Sequence, residues 1–202
     1  MWAGRGGARA RRALLKAAAQ DISFHGYANM VPEQVANQAG YSRRTLHRYF
    51  GNKEELALEL VHWIEKTWYD DVGHLFADET DPVATLLAVA RGTAVYCRHD
   101  VPRVLTRLTI EFEGIDHPVG RAVNEIIDRN VEGSAQLIAA GRRNGTIPPG
   151  PPPRETALAY LAAMDGALNT VGGQAPFDAL LTERAIAGVL GLPGELPRPP
   201  RT

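Results

Sequence analysis

Residues 35–50 read VANQAGYSRRTLHRYF and have the spacing of two short helices that meet at a tight turn. Ala36 is small enough to let the second helix approach closely, and Gly40 falls where the turn needs a left-handed backbone. Ser42 is a suitable N-cap for the second helix. The apolar positions that such a unit buries are also filled, by Val35, Ala39, Tyr41, Leu46 and Phe50. The stretch therefore predicts a helix-turn-helix.

The second helix presents basic and polar side chains on the side opposite to Leu46 and Phe50. A helix of this size fits the major groove of DNA, with its N-terminal side chains at base edges, where one arginine–guanine pair contributes ~1–3 kcal/mol of discrimination. Side chains at the rim of such a helix, here Ser42, Tyr49 and Lys53, are better placed for contacts with phosphates, which orient the protein. The predicted DNA-binding residues are Ser42, Arg43, Arg44, Thr45, His47, Arg48, Tyr49 and Lys53. The alternative is a basic face that is only solvated.

Charge is unevenly distributed along the chain. Residues 1–53 contain nine Lys or Arg and two acidic residues, a net charge of +7, whereas the remainder contains 13 basic and 21 acidic residues, a net charge of −8. A basic head favours a polyanionic partner for that part of the chain alone. Its first arginines predict a mobile basic arm that reaches phosphate or the minor groove, with a solvated tail as the alternative. These residues are Arg5, Arg9, Arg11 and Arg12.

Apolar residues at three- and four-residue spacing dominate the rest of the chain, which predicts an all-α fold of about nine helices. The predicted helices cover residues 9–25, 32–39, 43–50, 53–75, 82–98, 101–113, 118–143, 154–171 and 177–190. Residues 144–153 contain two Gly and five Pro and are expected to form a loop. We predict a DNA-binding domain over residues 1–53, a helical regulatory and dimerisation domain over 54–192, and a disordered Pro-rich tail over 193–202.

Composition excludes several classes of protein. The chain of 202 residues is 45% hydrophobic and 22% charged, which is typical of a globular protein. No apolar run approaches the ~20 residues that span a bilayer, so no membrane partner is expected. The single cysteine, Cys97, and the lack of a secretory signal favour the cytoplasm. The six histidines show no metal-binding spacing and no catalytic motif occurs, so we expect no metal, no cofactor and no enzymatic activity.

Residues 9–58 resemble the DNA-binding domain of the tetracycline-repressor (TetR) family, through the segments 14–27, 35–42 and 45–56. The resemblance implies a homodimer that binds a palindromic operator in double-stranded DNA and is released by a small-molecule inducer. Two ring types look exchanged, because the family usually has Tyr at the position of His47 and often His at that of Tyr49. His47 is therefore a candidate for a base contact instead of a phosphate contact. Met30 and Val31 stand where the family prefers Ser or Thr.

The last two predicted helices are the candidates for the dimer interface that the resemblance implies. Their apolar stripes suit a four-helix interface between protomers, and the alternative is that they only complete the core of one protomer. The predicted interface residues are Leu158, Leu161, Met164, Leu168, Leu181, Ile186 and Val189.

A ligand-responsive regulator also needs a cavity whose filling changes the DNA-binding heads. Polar and aromatic residues of the middle helices are candidates for its lining, although core packing is the more common role of each aromatic residue. The predicted ligand-binding residues are Trp63, Trp68, Tyr96, Arg107, Glu111, Phe112 and Asn169. A helical small-molecule-binding protein or enzyme without specific DNA binding is the alternative function, and an activator on the same fold is compatible with the sequence.

Overall fold

The computed structural model describes residues 5–75, 79–98 and 103–192, and all regular secondary structure in these ranges is helical. The elements are α1 (Arg5–Asn29), α2 (Pro32–Gln38), α3 (Arg43–Phe50), α4 (Lys53–Val72), a 3-10 helix (Gly73–Leu75), α5 (Pro82–Tyr96), α6 (Arg103–Glu111), α7 (Pro118–Asn144), α8 (Pro153–Val171) and α9 (Phe177–Val189). The predicted all-α fold with an N-terminal helix-turn-helix is confirmed. Within these ranges no helix combines the length and the apolar character needed to cross a lipid bilayer. The predicted Pro-rich tail, residues 193–202, lies outside the described residues.

Local sequence signals set several helix ends. Asp81 caps α5, since its carboxylate accepts a hydrogen bond from the N–H of Val83 at 2.9 Å and Pro82 occupies the first helical position. In α1 the predicted stop at Gly26 is a break in helical geometry, with φ 82°, and a further turn continues to Asn29. Helix α1 also begins earlier than predicted, at Arg5.

Packing divides the chain into two compact units. Of the described residues, the first contains 5–67 and 103–126, and the second contains 68–75, 79–98 and 127–192. The units differ from the division expected at residue 53, because most of α4 and all of α6 belong with the first three helices. Helix α4 begins in the first unit and ends in the second.

The core of the first unit is built on the apolar face of α1. Its deeply buried side chains come from α1 to α4, from α6 and from the start of α7, and α1 packs against α6 as well as α2. Fully buried members are Leu14, Leu15, Ile22, Leu46, Leu56 and Leu60. Burial of Leu46 and Phe50 fixes which side of α3 remains exposed.

The core of the second unit surrounds Tyr160 of α8, whose side chain is fully buried. Its hydroxyl donates a hydrogen bond of 2.9 Å to the carbonyl of Leu86 in α5, so the buried polar group is satisfied. Burial raises the pKa of Tyr160. Helix α9 packs against both α5 and α8 and contributes Ile186 and Leu190 to this core.

One buried ion pair lies in the second unit. Asp178 is completely buried at the start of α9, and Arg98 donates to its two oxygens at 2.7 and 2.8 Å. The N–H of Ala179 also donates to this carboxylate, at 2.8 Å. The hydrogen bonds from Arg98 lower the pKa of Asp178 more than burial raises it. The pair therefore holds the segment that follows α5 against the beginning of α9.

We expect Asp178→Asn to lower the free energy of unfolding by about 2–3 kcal/mol, because Arg98 loses a charged acceptor. A carboxylate whose pKa is lowered by folding stabilises the protein above its unfolded pKa, about 4, and the effect fades as the pH falls below that value. The measurement is urea unfolding at fixed protein concentration from pH 7 to pH 3. Asp71→Asn, at an exposed position of α4, is the control, and equal losses for both variants would contradict the assignment.

Candidate nucleic-acid interface

The turn between α2 and α3 has the hydrogen bonds of a glycine-ended helix. The N–H of Tyr41 donates to the carbonyl of Ala36 at 2.9 Å, and the N–H of Gly40 donates to that of Asn37 at 3.0 Å. Gly40 has φ 77°, and a Cβ there would meet no atom within 4 Å. Glycine is therefore required at this turn by the backbone angle alone.

Helix α3 begins with the predicted cap. Ser42 has an extended backbone, and its hydroxyl accepts a hydrogen bond from the N–H of Thr45 at 3.2 Å. By contrast, α2 begins after Val31, which gives no side-chain cap, in the region where the resemblance led us to expect Ser or Thr.

The predicted DNA-binding side chains of α3 lie on one exposed surface. Arg43, Arg44, His47 and Arg48 are exposed, and Thr45 and Tyr49 are half-buried. Leu46 and Phe50 hold the opposite side of the helix in the core. This arrangement leaves three arginines of a two-turn helix free to approach a polyanion.

The three arginines differ in how firmly they are held. The Nε of Arg43 donates to Nε2 of His47 at 3.3 Å, and its guanidinium lies 3.8 Å from the carboxylate of Glu33 in α2. The guanidinium of Arg48 lies 5.2 Å from the centre of the Tyr49 ring. Among the residues that the structure describes, Arg44 has neither an ion pair nor a hydrogen bond.

Helix α4 begins with a reciprocal cap that we did not predict. The N–H of Glu55 donates to the side-chain oxygen of Asn52 at 2.9 Å, and the side-chain amide of Asn52 donates to the carboxylate of Glu55 at 2.7 Å. The sequence signal was available, because an N-cap residue followed by Glu three positions later is typical of a helix start.

Lys53, predicted to contact phosphate, is half-buried at the first position of α4. Its ammonium donates to the carbonyl of Ala28 at 2.9 Å and lies 4.7 Å from the centre of the Tyr27 ring. Burial lowers the pKa of Lys53, while Glu111 and Asp21 oppose that effect. The structure therefore uses Lys53 to join the end of α1 to the start of α4, and its phosphate contact stays a prediction.

The end of α1 is also held by Glu111 of α6. The carboxylate of Glu111 accepts hydrogen bonds from the N–H of Tyr27, at 2.6 Å, and from the N–H of Ala28. A Cβ on Gly26 would lie 2.9 Å from this carboxylate and 3.3 Å from Nε of Arg107. Gly26 is thus required twice, by its left-handed φ and by the close approach of α6.

Aromatic rings surround this junction. Phe112 stacks on His117 with ring centres 4.4 Å apart, and the Tyr27 ring lies 5.2 Å from Phe112 and 5.4 Å from His117. The Nδ1 of His117 accepts a hydrogen bond from the N–H of Val119 at 3.2 Å, and its Nε2 lies 3.5 Å from the carboxylate of Glu54. The ring contacts and the Glu111 bonds together fix α6 against α1 within the first unit.

The basic arm expected at the N-terminus is not extended in the structure. Arg9, Arg11 and Arg12 all lie in α1. Arg11 pairs with Glu59 of α4 and lies over the Phe50 ring at 5.8 Å. Arg5 begins the helix, and its side chain lies outside the described residues. The helical conformation fits the continuation of the α1 apolar stripe to Ala10, which is 5% exposed.

The predicted ligand-binding residues belong to both units. In the first unit Trp63 is half-buried, Arg107 is exposed, Glu111 caps the end of α1 and Phe112 is packed against rings. The second unit holds Trp68, which donates to the hydroxyl of Thr93 at 3.1 Å, together with buried Tyr96 and exposed Asn169. Of the seven, only Arg107 lines a shallow cleft of about 480 Å³ in the first unit, formed with Phe24, His25, Asn29, Val31 and Gln34.

The predicted dimer residues also divide into two groups. Met164 and Ile186 are 8% and 0% exposed and belong to the core of the protomer, so they offer no free surface. Leu158 is 45% exposed on α8. The remaining four are half-buried: Leu161, Leu168, Leu181 and Val189.

Metal binding and thiol chemistry have little support in the described part of the chain. No group of three or more His, Cys, Asp or Glu there is arranged to hold a metal ion. Burial raises the pKa of Cys97 to about 12, with Asp165 and Asp178 adding to the effect, so this thiol is not a thiolate at neutral pH.

Residues 14–60 match the profile of bacterial regulatory proteins of the tetR family. The HTH-type transcriptional regulator BetI of Agrobacterium fabrum is 41% identical over 51 residues, which are 25% of this chain and 25% of BetI. BetI of Brucella canis is 27% identical over 99 residues, 48% of this chain and 50% of that protein. The chain therefore matches half or less of the length of these relatives.

Solved structures extend the likeness to nearly the whole fold. A TetR transcriptional regulator from Chloroflexus aurantiacus superposes with a TM-score of 0.75, at 22% identity, over 93% of this chain and 96% of that one. AibR, solved in complex with isovaleryl coenzyme A and operator DNA, gives a TM-score of 0.72 at 18% identity, over 90% of this chain and 96% of AibR. These likenesses establish the fold.

A double-mutant comparison at Gly26 separates the effects that hold the end of α1. We expect Gly26→Ala to lower the free energy of unfolding by about 2 kcal/mol or more, because both backbone strain and the clash with Glu111 act there. Gly26→Ala in a Glu111→Ala background is the control and should cost less, since strain at φ 82° and ψ 167° and the contact with Arg107 are all that remain. Thermal and urea unfolding measure both, and an equal loss would show that Glu111 does not constrain this position.

Proposed function

We propose that this chain is a sequence-specific DNA-binding transcriptional regulator of the TetR family, acting as a repressor, because residues 14–60 match the profile of that family. The observation that carries the proposal is α3, whose apolar side is buried while Arg43, Arg44 and Arg48 remain exposed. A helix exposed in this way can enter the major groove and bring its side chains to base edges. The site of action is the chromosome, so we propose a cytoplasmic location.

The distribution of charge also supports binding to DNA through the N-terminal part of the chain. Residues 1–53 carry a net charge of +7, and the rest of the chain carries −8. The basic part attracts phosphate, while the acidic part is repelled by it, so the protein approaches DNA through its N-terminal helices. Phosphate contacts from Ser42, Tyr49 and Lys53 would set the register of α3 in the groove.

We propose that the protein acts as a homodimer on a palindromic operator, through the exposed side of α8 and the adjoining side of α9. Leu158, Ala159, Ala162 and Gly166 are exposed along α8, and small residues allow two helices to approach closely. Two copies related by a two-fold axis would present their recognition helices to half-sites about 34 Å apart, or a multiple of that spacing.

A small molecule is the proposed inducer, and AibR supplies the precedent of a protein with this fold that binds both a ligand and operator DNA. For its contacts we keep the residues named from the sequence that lie in the second unit, Trp68, Tyr96 and Asn169. Helix α4 belongs to both units and so offers a direct route by which ligand binding could move the start of α4. A coupling of ~1–3 kcal/mol would lower the affinity for DNA about 5- to 150-fold.

DNA binding can be tested by fluorescence anisotropy with a duplex selected from a randomised library by the full-length protein. We expect Arg44→Ala and Arg48→Ala to reduce the preference for the selected duplex over random DNA by roughly tenfold, because each loses a base contact. Affinity should also fall steeply with salt, since bound phosphates release counterions. Arg143→Ala removes the same charge from an exposed position of α7 and is the control.

Equal weakening of selected and random duplexes by the two α3 variants would show that α3 does not read bases. No binding to DNA at moderate salt would instead favour a helical small-molecule-binding protein or enzyme.

The dimer can be tested by sedimentation velocity. We expect Ala162→Arg to convert the protein to monomers, because it places an unpaired charge in the middle of the proposed interface. Gln136→Arg, at an exposed position of α7 next to Glu132, introduces the same side chain elsewhere and should leave the dimer intact. If the Ala162→Arg variant is still a dimer, the interface does not lie on this side of α8.

A further inference from the structure

Arg43 is held by a chain of contacts that begins at the next helix. Its Nε donates to Nε2 of His47, one turn later in α3, at 3.3 Å. The Nδ1 of the same ring is hydrogen-bonded to the carbonyl of Gly51. His47 thus uses one ring nitrogen to hold Arg43 and the other to hold the backbone just after α3.

The carbonyl of Gly51 determines which nitrogen of His47 carries the proton. A carbonyl oxygen can only accept, so Nδ1 must be the donor and carry the hydrogen. In the neutral ring Nε2 then has a free lone pair, which is what the N–H of Arg43 requires. The two hydrogen bonds of His47 are therefore compatible with a single tautomer.

Gly51 itself is held in place by the cap of α4. It adopts φ 63°, and a Cβ there would lie 2.5 Å from a carboxylate oxygen of Glu55. Glu55 is fixed in turn by its two hydrogen bonds with Asn52. The positive φ favours glycine at this position, and in this conformation its carbonyl is bonded to His47.

We propose that His47 is a positioning residue that orients Arg43 to read one base pair, in a tautomer that Gly51 imposes. The inference rests on the proposed DNA binding, and it gives Arg43 and Arg44 different roles. Arg43 is oriented before DNA arrives, whereas Arg44 has no partner among the described residues. The guanidinium of Arg43 also lies 3.8 Å from the carboxylate of Glu33, so two contacts at an exposed position restrain the same arginine.

In this proposal His47 acts through its hydrogen bond with Arg43 and contacts neither a phosphate nor a base. A planar guanidinium distinguishes guanine only when both of its hydrogen bonds to the base are aligned, so an acceptor on Nε of Arg43 restricts the plane in which the fork can turn. Losing that acceptor should leave the attraction to phosphate intact and weaken only the discrimination at one base pair.

The decisive experiment compares single-base substitutions of the duplex selected by the wild-type protein. We expect Arg43→Ala to abolish the preference at one base pair of each half-site. His47→Phe, which keeps the ring and removes both nitrogens, should reduce preference at the same base pair by roughly three- to tenfold. Affinity for random duplex should not change. His47→Gln should restore the preference, since its amide can donate to Gly51 and accept from Arg43.

Combining the two changes separates a positioning role from a direct contact. The Arg43→Ala/His47→Phe variant should lose no more preference at that base pair than Arg43→Ala alone. Unchanged preference in His47→Phe, or a loss at a different base pair, overturns the inference while leaving the proposed function in place. If the wild-type protein selects no sequence at all, both fail.

The tautomer gives a second test that needs no DNA. Nitrogen-15 NMR of the full-length protein should show that the neutral His47 ring carries its hydrogen on Nδ1 and leaves Nε2 free. In Gly51→Ala the carbonyl should turn away, and the ring should become a mixture of tautomers. A ring protonated at Nε2 in the wild-type protein overturns the proposal, because that nitrogen could not accept from Arg43.

Discussion

The break in α1 at Gly26 turns the N–H groups of Tyr27 and Ala28 towards Glu111, and its carboxylate accepts from both. A carboxylate with two backbone donors is strongly held, because a charged acceptor makes stronger bonds than a neutral one. The carbonyl of Ala28 accepts from Lys53 on the other side. The end of α1 is therefore bound to α6 through the two N–H groups and to α4 through the carbonyl of Ala28. The position of α3 depends on where α4 begins.

The parts of this fold that are encoded locally could be predicted from the sequence. Gly40 and Ser42 act on atoms within a few positions of themselves, through a backbone angle and a cap. The same holds for Asp81 and Pro82 at the start of α5. The pair of Asn52 and Glu55 obeys the same logic at three-residue spacing and was open to the same reasoning, although we did not predict it.

Contacts between distant segments could not be predicted in this way. Tyr27 and Glu111 are 84 positions apart, and neither periodicity nor charge indicates that a carboxylate of α6 will cap a break in α1. The stripe that contains Met164 and Ile186 is equally apolar whether it is covered within a protomer or by a second copy, because both desolvate the same side chains. For the same reason an aromatic residue such as Phe112 has the same helical spacing in a core as in a pocket.

The contrast between Arg43 and Arg44 has an entropic consequence. A free arginine side chain loses up to about 2 kcal/mol of rotamer freedom when it is immobilised against a base. Arg43, restrained by His47 in the unbound protein, has less of this freedom to lose. Arg44 has no partner among the described residues, so under the proposed DNA binding its contact would form at a larger entropic cost and would adapt to more than one partner atom. In α3, adjacent side chains of identical chemistry are thus suited to rigid and to tolerant recognition respectively.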